Sequence, residues 1–223
     1  MLASQTVENY LKAIYVAQGA NEDAEGLVPM GQLAAALGVV PGTATTMVKA
    51  LAESGLVRYE PYMGVRLTPA GERLAALVLR RHRLIEQFLV QILGMSWTEV
   101  HEEAERLEHA VSERLIERID EMLGRPAVDP HGDPIPGPEG ELERHSYPDL
   151  LTAPVRQGLI VTRVTAQDAE FLRFVERRGL KPGQRVQIEA RDPASDSVTV
   201  RSETGQLTTL GARAASKVLV ALG

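Results

Sequence analysis

The sequence predicts a mainly α protein with a small β portion: an N-terminal winged helix-turn-helix, an all-α middle and a C-terminal small β-barrel. Three observations predict it. Before Gly124, apolar residues recur at three- and four-residue steps, the period of helices that bury one stripe. Between Val28 and Thr68, two helical segments joined by a Gly-containing turn are followed by two short β-prone runs. From Leu150 onward the texture changes to short β-branched runs separated by turn signals.

The first helix is expected over residues 4–18, where Val7, Leu11, Ile14 and Tyr15 keep helical spacing. Residues 19–26 are polar and contain glycine, hence a loop. A second helix over 30–37 stops at Gly38, and after the turn GVVPG a third runs from about 43 to 54. Helix, short turn, helix is the arrangement whose second helix enters the major groove of DNA. Runs at 56–59 and 65–68, around a turn at 62–64, add a basic two-stranded wing. On the reading helix, Pro41, Gly42, Thr43, Thr45, Thr46 and Lys49 are aimed at the groove. Small hydroxylated residues and a lysine suit phosphates, thymine methyls or base edges. Arg58, Tyr62 and Arg66 flank the DNA backbone, with wing packing an equally good reading of Tyr59 and Tyr62.

A long helix over 70–93 follows, with Leu74, Leu77, Val78, Leu84, Ile85 and Leu89 as its buried side, and Gly94 ends it. The acidic stretch TEVHEEAERLEHAVSERLIERIDEM, residues 98–122, reads as one further helix that buries Val100, Ala104, Leu107, Val111 and Leu115. A second stripe carries His101, Glu105, Glu108 and His109, of which the last three stand at i, i+3 and i+4 and can converge on one ion. Imidazole with carboxylate oxygen suits first-row divalent cations. From Glu99 to His109 five carboxylates face a single arginine, Arg106, a cluster that repels itself unless cations or protons intervene. His82 with Glu86 is another i, i+4 pair, able to supply a second set of ligands from the long helix. A solvated Glu/His face is the other reading of the acidic stretch taken alone. Two long amphipathic helices with too little chain to cover each other leave apolar surface, which points to dimerisation.

Residues 124–148 are rich in proline and glycine and interrupt regular structure; His131 within them reads as a loop residue rather than a ligand. GLIVTRV, QRVQIEA, SVTVRSE, QLTTLG and KVLVA then supply five strands, with one helical segment at 166–178 between the first two and no catalytic constellation.

The chain has no cysteine, which leaves any metal to His, Asp, Glu, Asn, Gln and Met. With no apolar run of membrane-spanning length and no basic-then-apolar leader, the expectation is a soluble, cytoplasmic protein with no membrane partner. The net charge of −6 is unevenly placed: residues 1–98 hold 8 basic and 8 acidic side chains, 99–149 hold 5 and 15, and 150–223 hold 11 and 7. A mildly basic module therefore precedes a strongly acidic one, and DNA responds to the local field.

These residues together resemble the diphtheria toxin repressor family of metal-dependent transcriptional regulators, including its manganese-transport-regulator branch. The likeness rests on ENYLKAIY, the winged module through GVRLTPAGERLA, RRHRLIEQFL, VHEEAERLEHAVS, DPHGDPIPG and the C-terminal barrel, which is similar to the SH3-like or FeoA-type module. It implies domains at 1–73 (winged helix-turn-helix), 74–140 (helical, metal-binding and dimerising) and 156–223 (SH3-like), with a linker at 141–155. It also implies an ancillary metal site at His82, Glu86 and His101 and a primary site at Glu105, Glu108 and His109. The first-helix ligand position falls on Asn9, and Lys12 occupies the place of a second acidic ligand of the manganese branch. Gln167 and Glu170 approximate, in reversed order, a pair that reaches the ancillary site in barrel-bearing relatives. Where the iron-responsive branch has cysteine, this chain has Glu105, and a hard carboxylate favours Mn(II).

The function expected is that of a homodimeric, non-enzymatic transcriptional regulator of metal homeostasis. Mn(II) is its first cofactor, Fe(II) the second, and other divalent metals substitute. Its partner is a near-palindromic double-stranded DNA operator. Two alternatives stand beside it. One is a winged-helix regulator answering to a small organic effector. The other is a zinc hydrolase, against which Glu105 stands where an HExxH motif needs its second histidine.

Overall fold

The computed structural model describes residues 4–20, 26–143 and 145–223, so most of the loop expected at 19–26 lies outside the described residues. The chain forms two compact units, one of residues up to His82 with Pro136–Leu142, the other of Arg83–Ile135 with Glu143–Gly223.

The first unit contains α1 (Gln5–Ala20), α2 (Met30–Ala36), α3 (Pro41–Glu53), β1 (Val57–Glu60), β2 (Gly64–Leu67) and the start of α4 (Pro69–Gln91). Its core joins Leu11 and Ile14 of α1, Leu33 of α2, Val48 and Leu51 of α3 and Val57, Val65 and Leu67 of the wing. The third helix begins at Pro41, two residues before the expected start, because proline suits the first helical position: its φ is preset and its missing N–H has no partner there. The wing is an antiparallel pair in the register Val57↔Leu67 and Arg58↔Arg66, extended by a bridge from Val28 to Val65. Gly71 starts α4 so close to the wing that a Cβ there would run into the Leu56 carbonyl oxygen.

In the second unit the acidic stretch is not one helix. It divides into α5 (Val100–Leu107) and α6 (Glu113–Met122), with Ser112 capping α6 through a contact from the Leu115 N–H at 3.4 Å. The break rotates the second half, so Leu107 and Leu115, expected inside, are exposed at 38% and 51%, and α6 buries Ile116 and Ile119 instead. These pack with Leu84, Ile85, Leu89, Val100 and Ala104.

Five strands follow: β3 (Gly158–Val164), β4 (Arg185–Asp192), β5 (Ser197–Ser202), β6 (Leu207–Gly211) and β7 (Val218–Leu222), with α7 (Ala169–Glu176) after β3 and α8 (Ala212–Ala215) before β7. All neighbours in the order β6-β5-β4-β3-β7 are antiparallel, giving the small β module the sequence predicts, with β6 and β7 at the edges of the described ladder. Helix α7 is shorter than expected at its start because Asp168 caps it, accepting from the Phe171 N–H at 2.9 Å, which leaves Gln167 in the preceding segment. Among the described residues no single helix is long and apolar enough to cross a membrane.

Candidate metal centre and nucleic-acid surface

Helix α4 carries His82 and Glu86 one turn apart, and both are buried, at 3% and 0% exposure. A carboxylate excluded from water needs positive charge or donors close by. Glu86 has one candidate on α5: His101 Nδ1 lies 3.1 Å from its Oε1. On its other side, His101 Nε2 lies 3.7 Å from Glu105 Oε1, so Glu86, His101 and Glu105 form a continuous run from buried to half-exposed. Glu108 terminates α5 as its C-cap and is wholly buried, with His109 Nε2 3.2 Å from its Oε1. Glu108 and His109 thus sit on the turn after α5 rather than on a continuous helical face. The turn keeps them adjacent, whereas continued helix would place consecutive residues about 100° apart.

In the first unit, Asn9 presents an amide oxygen that is buried without a hydrogen-bond partner. A buried acceptor left unmet costs stability unless something else occupies it. Its α1 neighbour Glu8 is held in a buried ion pair with Arg81 of α4 at 2.9 Å.

The most consequential residue missed in the sequence is His131. It lies in the expected loop but is completely buried, with Nδ1 3.6 Å from Glu86 Oε2 and 4.0 Å from Asp129 Oδ1. Glu86, Asp129 and His131 can place one ligand atom each within 4.8 Å of the others. Burial alone would pull the His131 pKa down, but the Glu86 and Asp129 carboxylates and the Trp97 carbonyl outweigh it and raise the value. Asp129 is pushed up to about 8, first by burial and then by the charges of Asp133 and Glu86, against the opposing pull of His131 and Arg83. Arg83 stands 3.7 Å from Asp129 and 3.6 Å from Asp133, and Arg163 forms a close ion pair with Asp133. Gln167 donates to Asp133 Oδ2 at 3.1 Å and lines a cleft with His101, Thr98 and Glu102. Glu170 is exposed in the first turn of α7, outside the groups of converging ligands found among the described residues. The signal in the sequence was the alternation Asp129-x-His131-x-Asp133, which a polar loop explains equally well until tertiary contacts are known.

On α3, Ala44, Val48 and Leu51 turn inward, leaving Pro41, Gly42, Thr43, Thr46 and Lys49 exposed and Thr45 half-buried. The Thr45 and Thr46 hydroxyls donate to the carbonyls of Pro41 and Gly42 at 2.9 and 3.0 Å, which fixes their rotamers and leaves their oxygens to accept. Arg58 is exposed on the wing, and half-buried Arg66 pairs with Glu60 at 3.5 Å. Tyr62 projects fully from the tip with φ 66°, a left-handed conformation that turns the hairpin.

Comparison with known proteins converges on this organisation. The profile described as "Iron dependent repressor, N-terminal DNA binding domain" matches residues 2–65, "Iron dependent repressor, metal binding and dimerisation domain" matches 68–137, and "FeoA domain" matches 149–222. The iron-dependent repressor IdeR of Mycobacterium tuberculosis is 32% identical over 197 residues, covering 82% of this chain and 84% of that protein. A solved manganese-dependent transcriptional repressor in complex with manganese is 39% identical, with a TM-score of 0.88 over 97% of this chain and 100% of the other. ScaR with bound Zn2+ superposes with a TM-score of 0.80 at 33% identity, over 97% and 99% of the two chains.

Proposed function

Because this chain belongs to the iron-dependent repressor family, the diphtheria toxin repressor group of metal-dependent DNA-binding transcriptional regulators, we propose that its own effector is Mn(II), with Fe(II) second. Names of relatives do not decide the metal, since they include iron, manganese and zinc. The preference rests on Glu105, a hard oxygen donor, and on a cysteine-free chain.

The observation that carries the reading is the burial of Glu108 and Glu86, each against an imidazole at 3.2 and 3.1 Å. Glu105, Glu108 and His109 would hold one ion. His82, Glu86 and His101 would hold a second, with Gln167 and Glu170 as candidates to complete it. Bound metal supplies the positive charge that lets these carboxylates share one volume. With the charges satisfied, bound metal would select the form of the protein that fits DNA.

Exposed Pro41, Gly42, Thr43, Thr46 and Lys49 of α3, with Thr45 beside them, would face the major groove, while Arg58, Tyr62 and Arg66 meet the phosphates. The exposed apolar residues Ile92, Leu93, Leu115 and Met122 would supply the contact between two copies, setting two reading heads on two half-sites. The test is a duplex selected from a random pool in Mn(II), then titrated with Mn(II), Fe(II), Zn(II) or chelator. Equal affinity in chelator and in Mn(II) would refute the proposal.

A further inference from the structure

The wing ends in three consecutive apolar residues, Pro61, Tyr62 and Met63, and all three are exposed, Met63 at 60% and Tyr62 completely. An apolar run left in water is either a liability or a contact surface. The turn itself narrows the choice. The Met63 N–H donates to the Glu60 carbonyl at 3.1 Å, which makes Pro61 and Tyr62 the central pair, and Tyr62 has φ 66°. That is the φ pattern of a type II turn, whose second central position favours glycine or asparagine. A bulky aromatic there is strained, so the wing carries at its tip a residue that its own backbone disfavours.

The arm behind the tip is firmly held. Gly64 lies so close to the chain at Val28 that a Cβ would run into the Val28 carbonyl oxygen. Val28 and Val65 exchange backbone hydrogen bonds at 2.8 and 3.0 Å. Val57, Val65 and Leu67 anchor the strands in the core of the module. Arg58 and Arg66 stand directly opposite each other, a like-charge pair that a sheet by itself disfavours and a polyanion relieves. Glu60, the single carboxylate of the wing, is already engaged by Arg66 at 3.5 Å. Tyr62 therefore stands at the end of a cationic arm, about 13 Å of extended chain beyond Arg58.

A DNA duplex is the occupant these features fit. The tip lies within residues 2–65, the DNA-binding part of the family, and the arginines behind it carry the charge that a phosphate backbone complements. With α3 in the major groove, the wing is left with the backbone and the minor groove beside it. At about 6 Å wide, that groove admits side chains from a hairpin tip but not a helix. We propose that Tyr62 and Met63 form an apolar wedge that passes the phosphates, enters the minor groove flanking each half-site and presses on a base step. Wedges of this kind kink the duplex, most easily at pyrimidine–purine steps. The inference rests on the reading of α3 and the wing as the DNA-facing surface, and it carries the Tyr62 ring beyond the phosphates.

The experiment uses the full-length protein with Mn(II) and the selected duplex, carrying 2-aminopurine at successive steps beyond each half-site so that its fluorescence reports unstacking. Tyr62→Gly relieves the turn and removes the wedge. It should leave the urea midpoint unchanged or higher, abolish the 2-aminopurine signal and weaken DNA binding by about 5–100-fold, the range of one aromatic contact with a base. Tyr62→Phe keeps the ring without the hydroxyl and should bind as the wild type does. Met63→Gln should lower affinity and signal in part. Wild-type affinity in Tyr62→Gly, or a wild-type complex that brightens no 2-aminopurine, would overturn the inference. So would equal losses in Tyr62→Phe and Tyr62→Gly, which would make Tyr62 a hydroxyl donor to a phosphate, or a lowered urea midpoint in Tyr62→Gly, which would make it structural. If Lys49→Ala and Arg58→Ala both leave affinity unchanged, the reading of the DNA-facing surface itself fails and takes this inference with it.

Discussion

In the winged module the side chains proposed to meet DNA stand in solvent on a well-packed apolar base, whereas in the second unit the charged side chains are themselves the interior. Lys49 and Arg58 are exposed; Glu86, Glu108 and His131 have no exposed surface at all. A solvated charge acts at a distance, is screened by salt, and can be replaced at little cost to folding. A buried charge acts only on what touches it and depends on every neighbour. The first region should therefore tolerate substitution with graded loss of affinity, and the second should respond sharply.

The sharpest response is expected at Arg83, which is 8% exposed between Asp129 and Asp133 and also donates to the Pro134 carbonyl. Arg83→Leu removes the guanidinium from two buried carboxylates; Asp133 keeps Arg163, but Asp129 loses its arginine, and breaking a buried pair usually costs about 3–5 kcal/mol. Asp129, already pushed up to about 8, can relieve part of that by holding a proton, so the lower end of the range is expected. Urea unfolding at neutral pH measures it; a loss below about 1 kcal/mol, the range of exposed pairs, would erase the contrast between the regions.

Next comes Glu108→Ala. Coupling between an effector and its partner ligand is typically about 5–150-fold, and this variant should abolish Mn(II)-dependent tightening on DNA while leaving a folded dimer. Fluorescence anisotropy with and without Mn(II) reads the coupling, and sedimentation reads the assembly. Undiminished coupling would remove Glu108 from the site.

The same contrast explains what could be read without coordinates. Helices that bury one stripe announce themselves by spacing, so Leu11 and Ile14 of α1 and Leu84, Ile85 and Leu89 of α4 are placed correctly by the sequence. So was the order of elements, through to the five strands of the last segment. The break at 108–112 was not legible, because Leu107, Val111 and Leu115 continue the apolar period across it. What stops the helix is Ser112 capping α6, and a serine mid-sequence is as compatible with a helix surface as with a cap. His131 escaped for a related reason: its burial comes from Trp97, Gly132 and β3, none of them near in pattern to the acidic helix.

A moderate effect is expected from Glu105→Cys. Glu105 is half-exposed and adjoins His101 at 3.7 Å, so exchange should not unfold the protein. Thiolate in place of carboxylate should move the preference from Mn(II) toward Fe(II) and Zn(II). Competition among the three metals for DNA activation checks it, and an unchanged ranking would detach the manganese preference from this residue.

The smallest effect belongs to the solvated side. Lys49 is exposed on α3 one turn after Thr45 and Thr46, whose hydroxyls are tied to their own helix, so the lysine is the charge that face offers to DNA. If it meets a phosphate, Lys49→Ala should weaken binding uniformly across sequences and lower the slope of log affinity against log salt by about 0.9. Arg66 is the useful control, because Glu60 at 3.5 Å already offsets part of its charge. Arg66→Ala should therefore change the slope by less than Lys49→Ala. Equal changes would mean that Glu60 releases Arg66 on binding, and a larger change at Arg66 would shift the electrostatic weight of recognition from the helix to the wing.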